Sequence, residues 1–266
     1  MSKRVMSVAG SFYPASSSEI TAMIDHFNTI LESHSDVVAR FDALDGNAVI
    51  VPHAGWVYSG FTANIAFRIL KKTHPKTVVV IGPSHRVGFD GISIAESEVY
   101  QTPLGDLEID TPLVEEIKKR FSLVTFGEAH HEHSTEVQMP FIKHYMNDVK
   151  VVEMVYSYAE PIQLSPIIDY LLNLQNIAVV ISTDLSHYYS LDEAKKLDTI
   201  CLEAIRNENS TMLHQGCEAC GKIGVEAMLD VANKRNMEAI LLDYRTSADA
   251  SGDSSRVVGY ASALFR

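Results

Sequence analysis

Thr77-Val78-Val79-Val80-Ile81-Gly82-Pro83-Ser84-His85 is the stretch that decides the fold. From Val78 to Ile81 every side chain is apolar and β-branched, so no face of the segment suits water. A strand of that kind has to be covered on both sides, as a parallel strand between helical layers is. The chemistry then changes at once: Gly82 and Pro83 end the run, and a histidine comes two residues later. Two other runs behave in the same way. Ala48–Val51 leads into Pro52-His53-Ala54-Gly55, and Ile177–Ser182 leads into Thr183-Asp184-Leu185-Ser186-His187.

Outward from these, Val149–Val155 and Ala239–Leu242 are further strand-length apolar runs, and Val257–Leu264 reads as a closing strand. Apolar residues recur at helical spacing in Glu19–Leu31, Phe61–Leu70, Thr111–Lys119, Glu136–Tyr145, Pro161–Leu174, Asp192–Ile205 and Gly221–Lys234. Strands alternating with helices predict an α/β fold, a three-layer α/β/α sandwich around a mostly parallel sheet. No repeat, low-complexity tract or Pro/Gly/Ser linker divides the chain, so a single domain over residues 1–266 is expected, with Ser247–Ser255 as a surface loop.

At 266 residues, 46% apolar and 21% charged, the chain is long enough to bury a full core. A net charge of −12 argues against a nucleic-acid partner, which would be met by a face rich in lysine and arginine. No stretch approaches the roughly 20 apolar residues of a membrane helix, and no apolar run after Lys3-Arg4 suggests a signal peptide, so a soluble cytoplasmic protein is expected. Three cysteines do not suggest a disulfide framework, and Cys201, in an apolar helical pattern, is expected to be a buried, inert thiol.

In an open α/β sheet, ligands collect beyond the carboxyl ends of the strands, and here those positions hold His53, His85, Asp184 and His187. Any site must be assembled by folding, since HExxH is absent and His131-Glu132-His133 lacks i, i+4 spacing. The segment His130–His133 fits a solvated loop with Ser134 as the cap of the next helix, leaving Glu132 and His133 as secondary candidates. Cys217-Glu218-Ala219-Cys220 is a lone CxxC, open to reading as a redox pair or as part of a metal site, and no second pair completes four thiolates. If Cys220-Gly221 opens the helix Gly221–Lys234, the helix terminus lowers the Cys220 pKa and makes it the reactive thiol, with Cys217 to spare. Glycine-rich phosphate loops and a Gly-x-Ser-x-Gly elbow are missing, so Ser84 and Ser186 suit supporting hydrogen-bond donors better than nucleophiles.

At these residues the chain resembles the Memo family over nearly its whole length. The matching motifs are Ala9-Gly-Ser-Phe-Tyr-Pro14, Pro52-His-Ala-Gly-Trp-Val-Tyr-Ser-Gly60, Gly82-Pro-Ser-His85, Tyr100-Gln-Thr-Pro-Leu-Gly-Asp106, Glu132-His-Ser-Thr-Glu136, Ser182-Thr-Asp-Leu-Ser-His187 and Cys220-Gly-Lys-Ile-Gly224. The family is similar in fold to the class III extradiol (LigB-type) dioxygenases, which hold iron with two histidines and a glutamate that Memo proteins replace by cysteine. The resemblance implies His53, His85 and Cys220 as metal ligands, His187 as acid/base histidine and Asp184 beside it. It also implies AMMECR-type and radical-SAM partner proteins. Two imidazoles and a thiolate form a softer set than two imidazoles and a carboxylate, suiting iron(II) or copper ahead of zinc. Because thiolate changes the metal's reactivity, ring-cleaving activity does not transfer with the fold. Three functions are compatible with this resemblance: a metal-dependent redox enzyme acting on an unknown substrate; a module binding a peptide or protein in the inherited pocket, with Phe12, Trp56 and Tyr58 as aromatic contacts; or a component of a modification pathway whose metal site acts only in complex with the AMMECR-type and radical-SAM partners.

Overall fold

The computed structural model describes residues 2–266. Its strands are β1 (Lys3–Arg4), β2 (Ala48–Val51), β3 (Thr77–Pro83), β4 (Ile92–Ile94), β5 (Val99–Tyr100), β6 (Leu107–Glu108), β7 (Lys150–Tyr156), β8 (Ile177–Ser182), β9 (His187–Tyr189), β10 (Ala239–Thr246) and β11 (Val257–Phe265). The helices are α1 (Ser17–Glu32), α2 (Ser35–Asp42), α3 (Trp56–Leu70), α4 (Thr111–Phe121), α5 (His133–Glu136), α6 (Met139–Tyr145), α7 (Pro161–Leu171), α8 (Leu191–Arg206), α9 (Lys222–Arg235) and α10 (Ala248–Ser251).

The main sheet runs β10-β11-β2-β8-β3-β7-β4, with β9 paired beside β11. Only its centre is parallel: β2, β8, β3 and β7 run together. β11 is antiparallel to β2, β10 to β11 and β4 to β7, so the expected mostly parallel sheet is in fact mixed. The reason lies in the connections. Parallel neighbours need a crossover of about a dozen residues or more, and the short return from β10 to β11 cannot supply one. That return, expected as a loop, carries α10 within its exposed polar sequence.

Successive residues of β8 show how the sheet is covered. Ile181 faces α9, where a side chain at Gly224 would come within 3.1 Å of its Cγ2. Ser182 points the other way and donates to Ser134 O of α5 (2.6 Å). Helices thus lie on both faces, and the central runs Val49–Val51, Val78–Ile81 and Val179–Ile181 are fully buried. Each such Val or Ile side chain contributes on the order of 1.5–3 kcal/mol on burial.

Two helices differ from expectation. α3 starts at Trp56, five residues before Phe61, because the stretch after His53 turns directly into helix and Trp56 N–H donates to Phe12 O (2.7 Å). The helix expected over Glu136–Tyr145 is broken into α5 and α6, and Pro140 occupies the first turn of α6, where its missing N–H does no harm. Among the described residues no helix is long and apolar enough to cross a membrane.

Beneath the N-terminal segment lies a buried ionic network absent from the expectations. Arg4 Nη1 lies 2.9 Å from Glu136 Oε2, and its Nε lies 3.9 Å from Glu153 Oε2. Glu136 also accepts from Ser7 N, Val8 N and Tyr13 OH, while Glu153 accepts from Tyr100 OH, Thr135 Oγ1 and His130 Nδ1. His130, expected in a solvated loop, is buried here, and its Nε2 meets Ser93 Oγ at 2.8 Å.

Candidate metal centre

The carboxyl ends of β2, β3 and β8 sit side by side in register, so the residues beyond them converge. Ligand atoms of His53, His85 and Cys220 all lie within 4.8 Å of one another. Cys220 Sγ is 3.1 Å from His53 Nε2. The imidazole rings of His53 and His85 are 5.1 Å apart, edge to face. His53 is buried and His85 is exposed, so the group opens to solvent on the His85 side.

The tautomer of His53 is set by its neighbour. Ser182 has one hydroxyl hydrogen, and it goes to Ser134 O. The 3.0 Å contact between Ser182 Oγ and His53 Nδ1 therefore requires Nδ1–H as donor, leaving Nε2 as a lone pair turned toward Cys220. Gln138 Nε2 donates to the same serine oxygen (3.0 Å) and to Pro52 O (2.8 Å). Burial, reinforced by the nearby His85 and His133, holds the His53 pKa well below the usual imidazole range, so this ring is neutral.

Glu132 plays the matching role for two other rings. Its Oε1 accepts from His85 Nδ1 (3.1 Å) and His133 Nδ1 (2.8 Å), and its Oε2 accepts from His85 N–H (2.6 Å). Burial raises the Glu132 pKa, but the hydrogen bonds from His133 and His85 outweigh it and hold the carboxyl well below its ordinary range. One buried carboxylate thus leaves two imidazoles with free Nε2 atoms, the arrangement that orients metal-binding histidines. It also caps α5 by accepting from His133 N and Ser134 N, the role expected of Ser134. Ser134 instead donates to Pro83 O (2.7 Å), tying α5 to the end of β3. His85, Glu132 and His133 form a second group of mutually close ligand atoms, with the His133 and His85 ring centres 4.5 Å apart.

Cys220 departs from expectation. α9 begins at Lys222 with Gly221 as its cap, so the thiol precedes the helix. Burial, followed by the charge of Asp184, pushes its pKa up to about 12. Without a cation the group is a neutral thiol whose hydrogen fits the Nε2 lone pair of His53. It also accepts from Asp184 N–H (3.3 Å). Removing the thiol proton leaves a thiolate and an imidazole lone pair facing each other, a donor set that fits a soft or borderline metal ion. Gly221 permits the approach: a side chain there would come within 2.7 Å of Ser182 O and 2.6 Å of Thr183 Cβ.

Asp184 is a positioning residue. Its Oδ1 accepts from His53 N (2.7 Å) and Ala54 N (3.3 Å), and its carbonyl accepts from Cys220 N (3.2 Å). Two ligands are therefore pinned to one residue. Burial raises its carboxyl pKa against the N–H of His53. His187 lies on β9, paired with Val258, close enough for its charge to act on both His53 and Asp184.

Of the remaining candidates, Ser84 donates to Val87 O (2.7 Å) within its own loop, and Ser186 N–H donates to Asp198. Neither serine supports the metal-binding group as expected. Cys217 is bonded to Cys201 in a disulfide, correcting the expectation of an inert Cys201 thiol and a spare Cys217; Cys220 is the free cysteine. Phe12 packs on His133 (4.6 Å), Trp56 stacks on Phe141 in the core (3.8 Å), and Tyr58 is exposed. Ser182 and Gln138, which set the His53 tautomer, carry no sequence signal beyond their places at a strand end and in the turn before α6.

Fold and site together define an α/β protein with a soft, solvent-open His/His/Cys group at the carboxyl edge of its parallel strands. The family model described as "Memo-like protein" matches residues 4–264. Proteins named "MEMO1 family protein" are similar along their lengths: one of Desulfurococcus amylolyticus is 31% identical, covering 100% of this chain and 99% of its own. One of Methanocaldococcus jannaschii is 34% identical over 98% of each chain. One of Aquifex aeolicus is 31% identical over 100% of each. The chain belongs to the Memo family.

Proposed function

We propose that the protein is a metal-dependent redox protein that holds one ion, iron(II) or copper ahead of zinc, through His53 Nε2, His85 Nε2 and Cys220 Sγ. The observation that carries this is the mutual approach of the three ligand atoms within 4.8 Å, two of them imidazoles whose other nitrogen is engaged by a neighbour. An ion bound there supplies one-electron chemistry and an open coordination position for an exogenous ligand. The chain's own residues bind and orient it. Ser182 and Glu132 fix the tautomers, Asp184 locks the His53 and Cys220 backbones, and burial keeps His53 neutral and ready to bind. His187 and the free Nε2 of His133 are the groups we assign to proton transfer beside the ion.

The fold relation to LigB-type dioxygenases, the single-domain organisation, a cytoplasmic location and action together with AMMECR-type and radical-SAM partners belong to the same proposal, supported by family membership. A second function, binding a peptide or protein without turnover, is favoured by the exposed Val57 and Tyr58 in the first turn of α3, just after His53, and Tyr188 beside His187 on β9. Oxygen uptake in the presence of a thiol or ascorbate separates the two. Iron- or copper-loaded protein should consume oxygen catalytically and the Cys220→Ser variant should not; a loaded protein that takes up no oxidant would favour the binding module.

A further inference from the structure

Cys217 stands between two possible partners. It is bonded to Cys201 of α8, and both are buried, at 3% and 1% exposure. Only Glu218 and Ala219 separate it from Cys220, the spacing at which thiols pair in Cys-x-x-Cys motifs. Residues 217–221 belong to no helix or strand; Cys217 N donates to Leu213 O, Cys220 N to Asp184 O and Gly221 N to Thr183 Oγ1, while the Ala219 carbonyl accepts from Lys222 N and the Gly221 carbonyl from Tyr156 OH and Val225 N. Cys220 itself is held by the His53 ring and Asp184 N–H, contacts that it must leave before it can turn toward Cys217.

We propose that Cys217 is a redox selector for the metal centre. Bonded to Cys201 it leaves Cys220 free as a ligand; bonded to Cys220 it withdraws that ligand. The pairing stands on the Cys-x-x-Cys spacing and on the existing Cys201–Cys217 bond, and only its effect on metal rests on the proposed site. The change proceeds in two balanced steps. A dithiol reductant opens Cys201–Cys217, giving two protein thiols and the reductant's disulfide. A small disulfide oxidant such as oxidised glutathione then accepts two electrons and two protons from Cys217 and Cys220, which become bonded, and leaves as two thiols. A bound ion keeps Cys220 engaged and opposes the second step.

The Cys201→Ser variant tests this, because it removes the competing partner. Zinc is the probe, being redox-inert. Metal-free variant treated with oxidised glutathione should show a Cys217–Cys220 bond by peptide mapping after thiol blocking, and its zinc affinity should fall at least about tenfold, as expected for a lost ligand. Wild type so treated should keep Cys201–Cys217 and bind zinc unchanged, and Cys201→Ser/Cys217→Ser should bind zinc before and after oxidation. Two free or glutathione-capped thiols in Cys201→Ser would overturn the proposal, and so would loss of zinc by the double variant, which forms neither disulfide and would lose the ion without a Cys217–Cys220 bond. Should Cys201→Ser not fold, the same map made on wild type reduced with dithiothreitol and reoxidised without metal decides the pairing. If wild type binds no zinc, the metal centre fails while the map still decides which thiols pair.

Discussion

Metal affinity should depend on pH through one proton. Cys220 is a neutral thiol with its pKa pushed up to about 12, so binding as thiolate expels a proton throughout the neutral range. His53 is already neutral, its pKa held low by burial, and Glu132 is already ionised, so neither adds to the balance between pH 7 and pH 9. One proton released per ion gives about a tenfold rise in apparent affinity per pH unit, roughly a hundredfold and ~2.7 kcal/mol from pH 7 to pH 9. The sign is fixed: acid weakens binding. Competition against a chromophoric zinc chelator at pH 7, 8 and 9, corrected for buffer and hydroxide binding, measures the slope. Cys220→Ser should bind weakly and lose most of the pH dependence. A flat wild-type profile, or an equal slope in the variant, would refute the thiol as the source. The same shift acts on folding. The folded state holds its thiol proton above the ordinary value of 9.0, so metal-free stability is unaffected below that pH and falls as pH rises from there toward 12.

Other perturbations act through single contacts. Glu132→Gln replaces an acceptor of five hydrogen bonds by an amide whose NH2 opposes the His85 or His133 donor, and should weaken zinc binding about 10- to 100-fold by calorimetry, with the fold retained by circular dichroism. Gly221→Ala drives a methyl toward Ser182 O at 2.7 Å and should cost about 1–3 kcal/mol in denaturant melts while displacing Cys220; an unchanged midpoint would show that the loop yields freely. Arg4→Met leaves Glu136 and Glu153 buried without their cation, an expected loss of about 3–5 kcal/mol at neutral pH, read in denaturant melts.

The central sheet and its histidines are legible in the sequence because their causes are local. Val78–Ile81 has no polar face, and a parallel strand delivers the residues beyond its end to the ligand-binding edge, where His53, His85 and Asp184 meet. Strand direction at the flanks is not legible: β10 and β11 look like any buried strands, and only the short return between them makes them antiparallel. The Cys201–Cys217 pair joins a helix to a loop 16 residues on, a contact that helical periodicity does not encode. Glu132 reads as part of a polar loop, because what covers and engages it is distant in sequence: its carboxylate meets His85, and Arg4 reaches its backbone carbonyl from far along the chain. The state of the Cys220 thiol escapes the sequence because a helix terminus is visible there and the burial that overrides it is not.

Elemental analysis of anaerobically purified protein, beside His53→Ala, His85→Ala and Cys220→Ser handled identically, tests the metal centre most directly. Near-stoichiometric iron or copper is expected in the wild type and its loss in all three variants, each still folded. Wild type devoid of metal even after reconstitution, or variants that retain it in full, would contradict a metal centre at His53, His85 and Cys220.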